Sequence, residues 1–424
     1  MGRNGHRSMR FIADLHIHSH YSIATSPGTT PEGLWRWAQI KGVTVIGTGD
    51  FTHPGWFREL GRKLDFEGNG LFALREEFRG DDIPASCRAD VFFLMSAEIS
   101  CIYSKNGKTR KVHCVVLVND MESALRLQGR LSKIGNISSD GRPILGLDAK
   151  RLLGIVIDEC PGALFVPAHV WTPHFSVFGS ASGFDSLEEC FEELTPSIRA
   201  IETGLSSDPS MNWRLSALDQ LTLLSNSDAH SPQKIGREAN IFNTDLSFDA
   251  IADAIRTKKG FEGTIEFFPE EGKYHYDGHR SCKVRMAPEE TVAAGMRCPV
   301  CGKKATLGVL HRVAALADRP GGSVPDGARP YRSLVPLREV IADTLGVGVQ
   351  AKKVDRAYFD LLEKLGNELT ILMETSAEDI VGAGHPDVAE AIARVRSGDV
   401  TIEPGYDGQY GKVGIFKEHQ KTRL

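Results

Sequence analysis

Short apolar segments alternate with amphipathic segments along residues 11–265, and this alternation limits the chain to few folds. Seven apolar runs have the length of buried strands: FIAD (11–14), VTVIG (43–47), VFFLMSA (91–97), VHCVVLV (112–118), ALFVPA (163–168), IRAIE (198–202) and LTLLSNS (221–227). Helical patterns between or after them cover 30–42, 121–134, 186–194, 209–219 and 247–258. Strands that alternate with helices predict an α/β fold with a mainly parallel sheet. This many units favour a closed barrel over an open sheet.

The rest of the chain divides into two parts of different composition. Residues 269–312 are rich in Gly, His, Cys and Lys and lack apolar periodicity, so they predict a small separate module. Residues 313–424 have a helical pattern that begins with a Gly- and Pro-rich linker at 318–330 and ends in a segment with the turn residues of a short hairpin. We therefore expect a disordered leader over 1–10, a barrel over 11–268, the module, and a helical C-terminal region.

Composition narrows the class of protein. The charged fraction of 25% and the hydrophobic fraction of 41% are typical of a soluble globular chain. No run approaches the roughly 18 apolar residues of a membrane span, and no apolar segment of a secretory signal follows the N-terminus. We expect a cytoplasmic protein without a membrane partner. Five cysteines should then be reduced and buried: Cys87, Cys101, Cys114, Cys160 and Cys190.

The segment DLHIHSHYS (14–22) carries the strongest functional signal. His16 and His18 are two residues apart at the end of a predicted strand, so both imidazoles lie on one face. They lie at the carboxyl end of that strand, where a parallel barrel places its active site. Metal-binding side chains recur at the other predicted strands: Asp50, Glu98, His113, His169, Asp228 and His230.

This set of imidazoles and carboxylates predicts a cluster of two, or three, divalent ions. Glu98 is the carboxylate expected to bridge them. Two ions about 4 Å apart lower the pKa of a shared water and stabilise the attacking and leaving oxygens of a phosphoryl transfer. The sequence therefore predicts metal-dependent phosphoester hydrolysis with Zn, Mn or Mg. Asp228, Glu98 and His230 are the residues expected to act in catalysis.

These motifs resemble those of the PHP (polymerase and histidinol phosphatase) phosphoesterases. The resemblance implies a distorted β/α barrel with a di- or trinuclear metal site, and the predicted ligands fall on the motifs of that family. The chain departs from the pattern at two points. Thr48-Gly49-Asp50 stands where the family usually has T-D-H, so Asp50 would replace a histidine ligand, with His53 as the alternative. No Asp follows the first H-x-H, which makes a third ion less certain than two.

A second metal-binding pattern occupies 274–303. YHYDGHRSC and RCPVCGK contain two close pairs of ligands separated by 15 residues, which is the spacing of a tetrahedral structural zinc site. The expected ligands are His279, Cys282, Cys298 and Cys301. His275 and His311 are alternatives to His279. A segment with so few apolar residues would need the metal in order to fold.

The order of barrel, zinc module and helical region resembles the endonuclease Q family of DNA repair enzymes. DLHIHSHYS, TGDFTHPGW (48–56), the paired cysteine motifs and GVLHRVAALADRP (308–320) carry the resemblance, which extends from Arg10 onward. It implies hydrolysis of the phosphodiester 5′ of a deaminated base (uracil, hypoxanthine or xanthine) or an abasic site. The products would be a 3′-hydroxyl and a 5′-phosphate. Damaged DNA is then the expected partner, and a sliding clamp is a candidate partner.

Recognition of a damaged base would require a pocket that receives the flipped nucleotide. The aromatic candidates for its walls are Trp56, Phe57, Trp171, Phe175 and Phe178. Basic segments that could contact the DNA backbone lie at 105–111, 256–259, 351–356 and 417–423. Each aromatic residue is also a candidate for the core, and each basic segment for an ordinary solvated surface.

Two other functions compete with this hypothesis. A PHP phosphatase acting on a small phosphate monoester would keep the metal site, but it leaves the zinc module and the C-terminal region without a role. A DNA-binding repair protein with an inactive barrel would explain those parts, but the nearly complete set of ligands argues against it.

Overall fold

A computed structural model describes residues 8–416 as a mixed α/β protein. The strands are β1 (Met9–Asp14), β2 (Val45–Gly47), β3 (Leu64–Phe66), β4 (Phe72–Leu74), β5 (Phe92–Lys105), β6 (Lys108–Val118), β7 (Ile144–Leu145), β8 (Leu164–Pro167), β9 (Ala200–Glu202), β10 (Thr222–Leu224), β11 (Ala239–Thr244), β12 (Phe261–Glu266), β13 (Asp277–His279), β14 (Val284–Met286), β15 (Tyr331–Ser333), β16 (Thr401–Glu403) and β17 (Lys412–Gly414). Of the predicted leader, Met9 and Arg10 belong to β1. The first seven residues and the basic segment 417–423 lie outside the described residues.

The helices follow the amphipathic segments. They are α1 (Pro31–Lys41), α2 (Pro54–Lys63), α3 (Met121–Leu131), α4 (Ala149–Glu159), α5 (Leu187–Phe191), α6 (Pro209–Asn212), α7 (Phe248–Thr257), α8 (Pro288–Ala293), α9 (Val309–Leu316), α10 (Leu337–Thr344), α11 (Lys352–Leu365), α12 (Glu368–Met373), α13 (Ala377–Gly382) and α14 (Pro386–Ser397). The predicted limits of α1 are confirmed, because Thr30 accepts a hydrogen bond from Gly33 N and Gly42 ends the helix at φ 90°. None of the helices between residues 8 and 416 has the length and apolar character needed to span a bilayer.

Eleven of the strands form one mixed sheet. β1 pairs with β2, and β2 with β5, in parallel. β1 pairs with β11, β5 with β6, β6 with β8 and β11 with β12 in antiparallel fashion. β9 and β10 form a separate parallel pair. The prediction of a mainly parallel sheet is therefore wrong.

The long hairpin of β5 and β6 explains much of this difference. The two strands are joined by Asn106 and Gly107, which have φ values of 54° and 71°. Asn-Gly is the preferred pair for a tight turn with positive φ at both positions, and such a turn forces antiparallel pairing. In the sequence these residues lie inside a basic segment, KNGKTRK, which is a candidate for contact with the DNA backbone.

The core lies on both faces of the sheet. Phe11, Leu94 and Val166 belong to a cluster packed against α7, whereas the other faces of the same strands pack against α1 to α5 and the C-terminal helices. The five scattered cysteines are buried and unpaired, as the sequence predicts. The carboxyl ends of β1, β2, β8, β9 and β10 lead into the loops that carry the polar motifs.

The C-terminal region packs against the main sheet and its helices. β15 adds to the main sheet in parallel beside β12. A buried ion pair joins Lys41 Nζ to Glu368 Oε2 at 2.6 Å, and Tyr358 Oη donates to the same oxygen at 2.6 Å. The predicted hairpin in the tail is confirmed by the antiparallel pairing of β16 with β17.

Candidate metal centre

The loops that follow β1 and β10 run side by side and bring three predicted ligands together. His18 N donates to Ala229 O at 3.0 Å, which fixes the two loops against each other. As a result, Asp228 Oδ1 lies 3.0 Å from His18 Nε2 and 3.8 Å from His16 Nε2. His16 and His18 are buried. These three side chains form the first group of potential metal ligands.

A second group forms around Glu98, which lies inside β5. Glu98 Oε1 is 2.6 Å from His113 Nδ1 and 3.0 Å from His169 Nε2. The other oxygen, Oε2, faces the first group, at 3.4 Å from His18 Nε2 and 3.8 Å from His16 Nε2. Glu98 therefore lies between the two groups, where a single carboxylate can serve ions on both sides.

Three buried atoms of the first group have no hydrogen-bond partner among residues 8–416: His16 Nε2, His18 Nε2 and Asp228 Oδ1. Leaving such atoms unpaired is costly in a protein interior unless another ligand satisfies them. Two imidazole nitrogens and a carboxylate oxygen are donors suited to a divalent cation. The residues present therefore fit a metal ion at this position.

The buried carboxylates and imidazoles of the cluster shift one another's pKa values. Burial alone would raise the pKa of Glu98, but His113 and His16 hold that pKa well below its usual value. Burial lowers the pKa of His16, yet the charges of Glu202 and Glu98 hold it well above the ordinary value. Without metal the cluster thus favours protons on some imidazoles. Divalent cations would compete with those protons for the same ring nitrogens.

A carboxylate contacts the Nδ1 atom of each histidine in the H-x-H motif. His16 Nδ1 lies 3.0 Å from both oxygens of Glu202, and His18 Nδ1 lies 3.0 Å from Asp50 Oδ1. A carboxylate on Nδ1 fixes the tautomer that leaves Nε2 with its lone pair toward a metal. Glu202 was not among the predicted site residues. Its signal was present, because it ends the predicted strand IRAIE as the other ligands end theirs.

The structure places Asp50 outside both groups. Its second oxygen accepts hydrogen bonds from Ser19 N, Ser19 Oγ and Ser22 Oγ, so both oxygens already have partners. The alternative ligand, His53, is occupied as well. Its Nδ1 accepts from the first turn of α2, and its Nε2 donates to Ser138 O at 3.0 Å.

His230 lies next to the first group but is not part of it. Its ring centroid is 4.5 Å from that of His18, and its Nδ1 donates to Asp228 O at 2.9 Å. The side chain is 34% exposed, which places it at the rim of the site.

A cavity of about 380 Å³ opens above the two groups. Its lining includes His113, His169 and Asp228 of the two groups, together with Phe175 and Arg142. Arg142 was not predicted, since it lies in a loop without any periodic pattern. Its Nη1 is 3.1 Å from Glu98 Oε2.

The aromatic candidates fall into two sets. Trp56, Trp171 and Phe178 are at most 1% exposed and belong to the core, and Phe57 packs against that core. Phe175 is half-buried and lines the cavity, with its ring centroid 4.7 Å from that of His113. Of the five, Phe175 is thus the one that lines the cavity.

Several basic side chains in the predicted DNA-contact segments are used within the protein. Lys105 Nζ pairs with Glu192 at 2.6 Å, Arg110 bonds to Gly183 O, and Lys258 Nζ donates to Asp219 O at 2.7 Å. The segment 351–356 begins α11, where two lysines are exposed.

The small module brings together the four residues predicted to bind zinc: His279, Cys282, Cys298 and Cys301. Their ligand atoms all lie within 4.8 Å of one another. The alternatives to His279 lie outside this group of four. His311 Nδ1 lies 2.6 Å from Asp277 Oδ2, and His275 is buried against Tyr276.

Comparisons with known proteins agree with this architecture. A family model described as PHP-associated matches residues 214–259, and one described as the MJ0043 C-terminal domain matches residues 336–399. The uncharacterised protein YqxK of Bacillus subtilis is 35% identical over 426 residues, which cover 95% of this chain and 99% of YqxK. The uncharacterised protein MJ0043 of Methanocaldococcus jannaschii is 35% identical over 255 residues. That match covers 58% of this chain and 31% of MJ0043, so the chain spans about a third of that relative.

Two solved structures are similar over nearly the whole chain. The crystal structure of the lesion-specific endonuclease PfuEndoQ from Pyrococcus furiosus has a TM-score of 0.84 and 30% identity, covering 98% of this chain and 99% of that one. A crystal structure of endonuclease Q in complex with a 27-mer duplex substrate, with an abasic lesion at the active site, has a TM-score of 0.83 and 31% identity. It covers 97% of this chain and 98% of that one.

Proposed function

Because the chain belongs to the endonuclease Q family, we propose that it is a metal-dependent DNA repair endonuclease that cuts one strand beside a damaged nucleotide. One observation carries the proposal. Three buried atoms without hydrogen-bond partners in the described part of the chain, His16 Nε2, His18 Nε2 and Asp228 Oδ1, lie together beside Glu98 and next to a cavity. The substrates we propose are DNA containing uracil, hypoxanthine, xanthine or an abasic site. The abasic duplex bound by the similar endonuclease Q supports the last of these.

The proposed reaction hydrolyses the phosphodiester on the 5′ side of the lesion. A water oxygen forms a bond to phosphorus, and the bond from phosphorus to the 3′ oxygen of the preceding nucleotide breaks. A proton passes to that oxygen, so the products are a 3′-hydroxyl and a 5′-phosphate. Two or three divalent ions (Zn, Mn or Mg), when bound, supply activation of the water and stabilisation of charge on phosphate.

The residues of the chain divide the remaining work. We propose that His16, His18 and Asp228 would hold one ion and that His113 and His169 would hold a second, with Glu98 within reach of both groups of ligands. We propose that Asp50, which the sequence predicted as a ligand, instead orients His18 through the contact of its Oδ1 with His18 Nδ1. We propose that His230, whose side chain is 34% exposed, exchanges a proton with solvent or with the leaving oxygen.

Damaged nucleotides would enter through the cavity. The target nucleotide must leave the base stack to bring its phosphate to buried ligands, and damage that weakens pairing lowers the energy of that step. Phe175 offers an aromatic face at the cavity wall for stacking. We also propose that the exposed lysines of α11 contact the DNA backbone and that a sliding clamp is a partner.

We propose two further features that complete the assignment. The cluster of His279, Cys282, Cys298 and Cys301 binds a structural zinc ion, a proposal supported by four ligand atoms that all lie within 4.8 Å of one another. The strands form a distorted PHP-type barrel. Its closure is supported by hydrogen bonds from Val170 N to Glu202 O and from Thr203 N to Leu224 O, which link β8, β9 and β10.

The test uses the purified full chain with Mn, Mg or Zn and 5′-labelled duplexes. One set carries a single uracil, hypoxanthine, xanthine or abasic site, and a matched duplex is undamaged. We expect a nick 5′ of the lesion and none in the undamaged duplex. Asp228→Ala should abolish nicking while lesion-duplex binding persists, and Asp253→Ala on the exposed face of α7 should leave both unchanged. Phosphate release from small monoesters without nicking would instead identify a phosphatase.

A further inference from the structure

The loop at residues 136–143 places a permanent positive charge in the wall of the cavity. Among the described residues that line the cavity, Arg142 is the one that carries a guanidinium or an ammonium group. Its side chain is 25% exposed, and its Nη1 lies 3.1 Å from Glu98 Oε2. This is the oxygen of Glu98 that faces His16 and His18.

The loop packs tightly on the metal-site motif. Gly141 N donates to Tyr21 O at 2.9 Å. A Cβ atom at Gly141 would lie 2.3 Å from Asp50 Oδ2 and 2.4 Å from Ser22 Oγ, so only glycine allows this approach. The peptide before Arg142 therefore rests on the same carboxylate that orients His18.

Further anchors hold both ends of the loop. His53 Nε2 donates to Ser138 O at 3.0 Å, and Ser100 N donates to Pro143 O at 3.0 Å. Asp140 is buried, and its Oδ1 accepts from Arg142 N at 3.1 Å. Together these contacts fix the backbone of Arg142 relative to Glu98.

Arg142 has hydrogen-bonding capacity that Glu98 does not use. Its Nε is buried and has no hydrogen-bond partner among residues 8–416. A guanidinium offers five donors in a planar fork that matches two oxygens of a phosphate. Divalent ions bound to Glu98 would also weaken the attraction between that carboxylate and Arg142, because they compete for the same negative charge.

We propose that Arg142 binds the scissile phosphate. In this assignment, which rests on the proposed function, its guanidinium contacts a non-bridging oxygen of the phosphodiester while the ions are bound at Glu98. It would then stabilise the charge that develops on the phosphate oxygens as water attacks. Without ions and substrate, Arg142 pairs with Glu98, as the structure shows.

The first measurement is the single-turnover nicking rate of an abasic duplex at saturating metal. We expect Arg142→Ala to be about 100-fold slower than the unmodified chain, the range seen when one stabilising donor is removed. Arg142→Lys keeps the charge but loses the fork, so it should recover only part of the rate. Arg130→Ala, on the exposed helix that precedes the loop, is the matched control and should nick at the normal rate.

The second measurement does not depend on turnover. Titration of inorganic phosphate into the metal-loaded protein should show about tenfold weaker binding in Arg142→Ala than in Arg130→Ala. Metal affinity, measured in the same variants without phosphate, should be unchanged or higher in Arg142→Ala, because a cation that competes for Glu98 is gone. Unchanged phosphate binding together with a normal nicking rate at saturating metal would overturn the proposal. Loss of metal binding in Arg142→Ala would also overturn it, since Arg142 would then only assemble the metal site.

The third measurement locates the contact. Duplexes with a single Rp or Sp phosphorothioate at the scissile position replace one non-bridging oxygen with sulfur. The unmodified chain should be slowed by sulfur at the oxygen that Arg142 contacts, and Arg142→Ala should lose that sensitivity for one diastereomer. Equal sensitivity in both proteins contradicts a direct contact.

Failure of the proposed function can be distinguished from failure of this inference. If the unmodified chain cuts no damaged duplex, the proposed function fails. Arg142 can then still be tested by phosphate binding and by hydrolysis of bis(p-nitrophenyl) phosphate. If the duplex is cut as proposed and Arg142→Ala is normal in rate and phosphate binding, the inference about Arg142 alone is wrong. Folding of each variant is checked by its thermal midpoint, with Arg142→Gln as a second variant of similar volume.

Discussion

His16 and His18 each direct one ring nitrogen toward a buried carboxylate and the other toward the potential metal site. Glu202 serves His16 and also accepts from His169 N at 2.9 Å and Asn226 Nδ2 at 3.0 Å, so one carboxylate connects three loops of the site. Such partners make the imidazole a better ligand and fix its orientation. Metal affinity should therefore depend on a residue that does not itself face the metal.

Replacing Glu202 with Gln tests this dependence. The amide keeps the size of the side chain but removes the charge that supports His16, so we expect metal affinity to fall by about 10- to 100-fold. Metal binding is measured by competition with a chromophoric chelator, and nicking should recover at raised metal concentration. Glu193→Gln, on the exposed surface, is the control. Equal metal affinity in the two variants would mean that Glu202 has only a packing role.

The sequence predicted which side chains come together better than it predicted the role of each. His16, His18, Glu98, His169 and Asp228 were candidates because each lies at or just after the end of a predicted strand, and His113 because it lies within one. Asp50 fits the same rule, but its role depends on Ser19 and Ser22, which reach its carboxylate through the turn of the first motif. Arg142 could not be found in this way, because tertiary contacts alone place it beside Glu98.

The hairpin of β5 and β6 and the small module of residues 269–312 differ in how well the local sequence predicted them. Asn106-Gly107 is a turn signal in the sequence, but its basic neighbours suggested contact with DNA instead. The four residues predicted to bind zinc come together in the structure, because short-range spacing largely determines this grouping. In the structure Cys298 N donates to Lys303 O at 2.8 Å and Gly302 N donates to Cys298 O at 2.9 Å, which form the tight turn around the second cysteine pair.

Cys298→Ser should remove the metal of this module without emptying the candidate catalytic site. We expect the metal content of the purified protein to fall by one equivalent, since a structural zinc site needs all four ligands. Hydrogen exchange should rise across 274–306 because metal binding stabilises the folded module. Val300→Ala, in the same turn with its side chain exposed to solvent, is the control. Normal metal content and exchange in Cys298→Ser would contradict a zinc site.

At the scale of the molecule, the C-terminal region contacts both earlier parts of the chain. Asp407 accepts hydrogen bonds from Arg280 N at 2.6 Å and Thr306 Oγ1 at 2.7 Å in the small module of residues 269–312. The buried pair of Lys41 and Glu368 ties the helices after β15 to α1, where Gly42 allows Asn367 to approach closely. The sequence predicted three successive parts but gave no sign of these contacts, since ion pairs between distant segments leave no local pattern.

The Lys41–Glu368 pair gives a prediction about stability and pH. Glu368→Gln leaves the buried ammonium of Lys41 without its counter-charge, so we expect a loss of about 3 kcal/mol in the free energy of unfolding at pH 7. Burial alone would raise the pKa of Glu368, but Lys41 and Tyr358 hold it below its ordinary value of 4.5. For an acid whose folded pKa is lowered, the stabilisation is present above pH 4.5 and is lost as pH falls through the folded pKa. The difference between the variant and the unmodified chain should therefore shrink below pH 4.5.

Denaturant unfolding of both proteins at pH 7 and at several lower pH values measures this difference. Glu390→Gln is the matched control, because Glu390 pairs with Arg394 on the surface of α14 and an exposed pair of this kind contributes at most about 0.5 kcal/mol. Replacing both Lys41 and Glu368 with Met should recover part of the loss, since a buried ion pair can be exchanged for apolar packing more easily than one partner can be removed. If Glu368→Gln unfolds like Glu390→Gln at pH 7, the pair does not fasten the C-terminal region. The contacts of β15 with β12 would then have to do so.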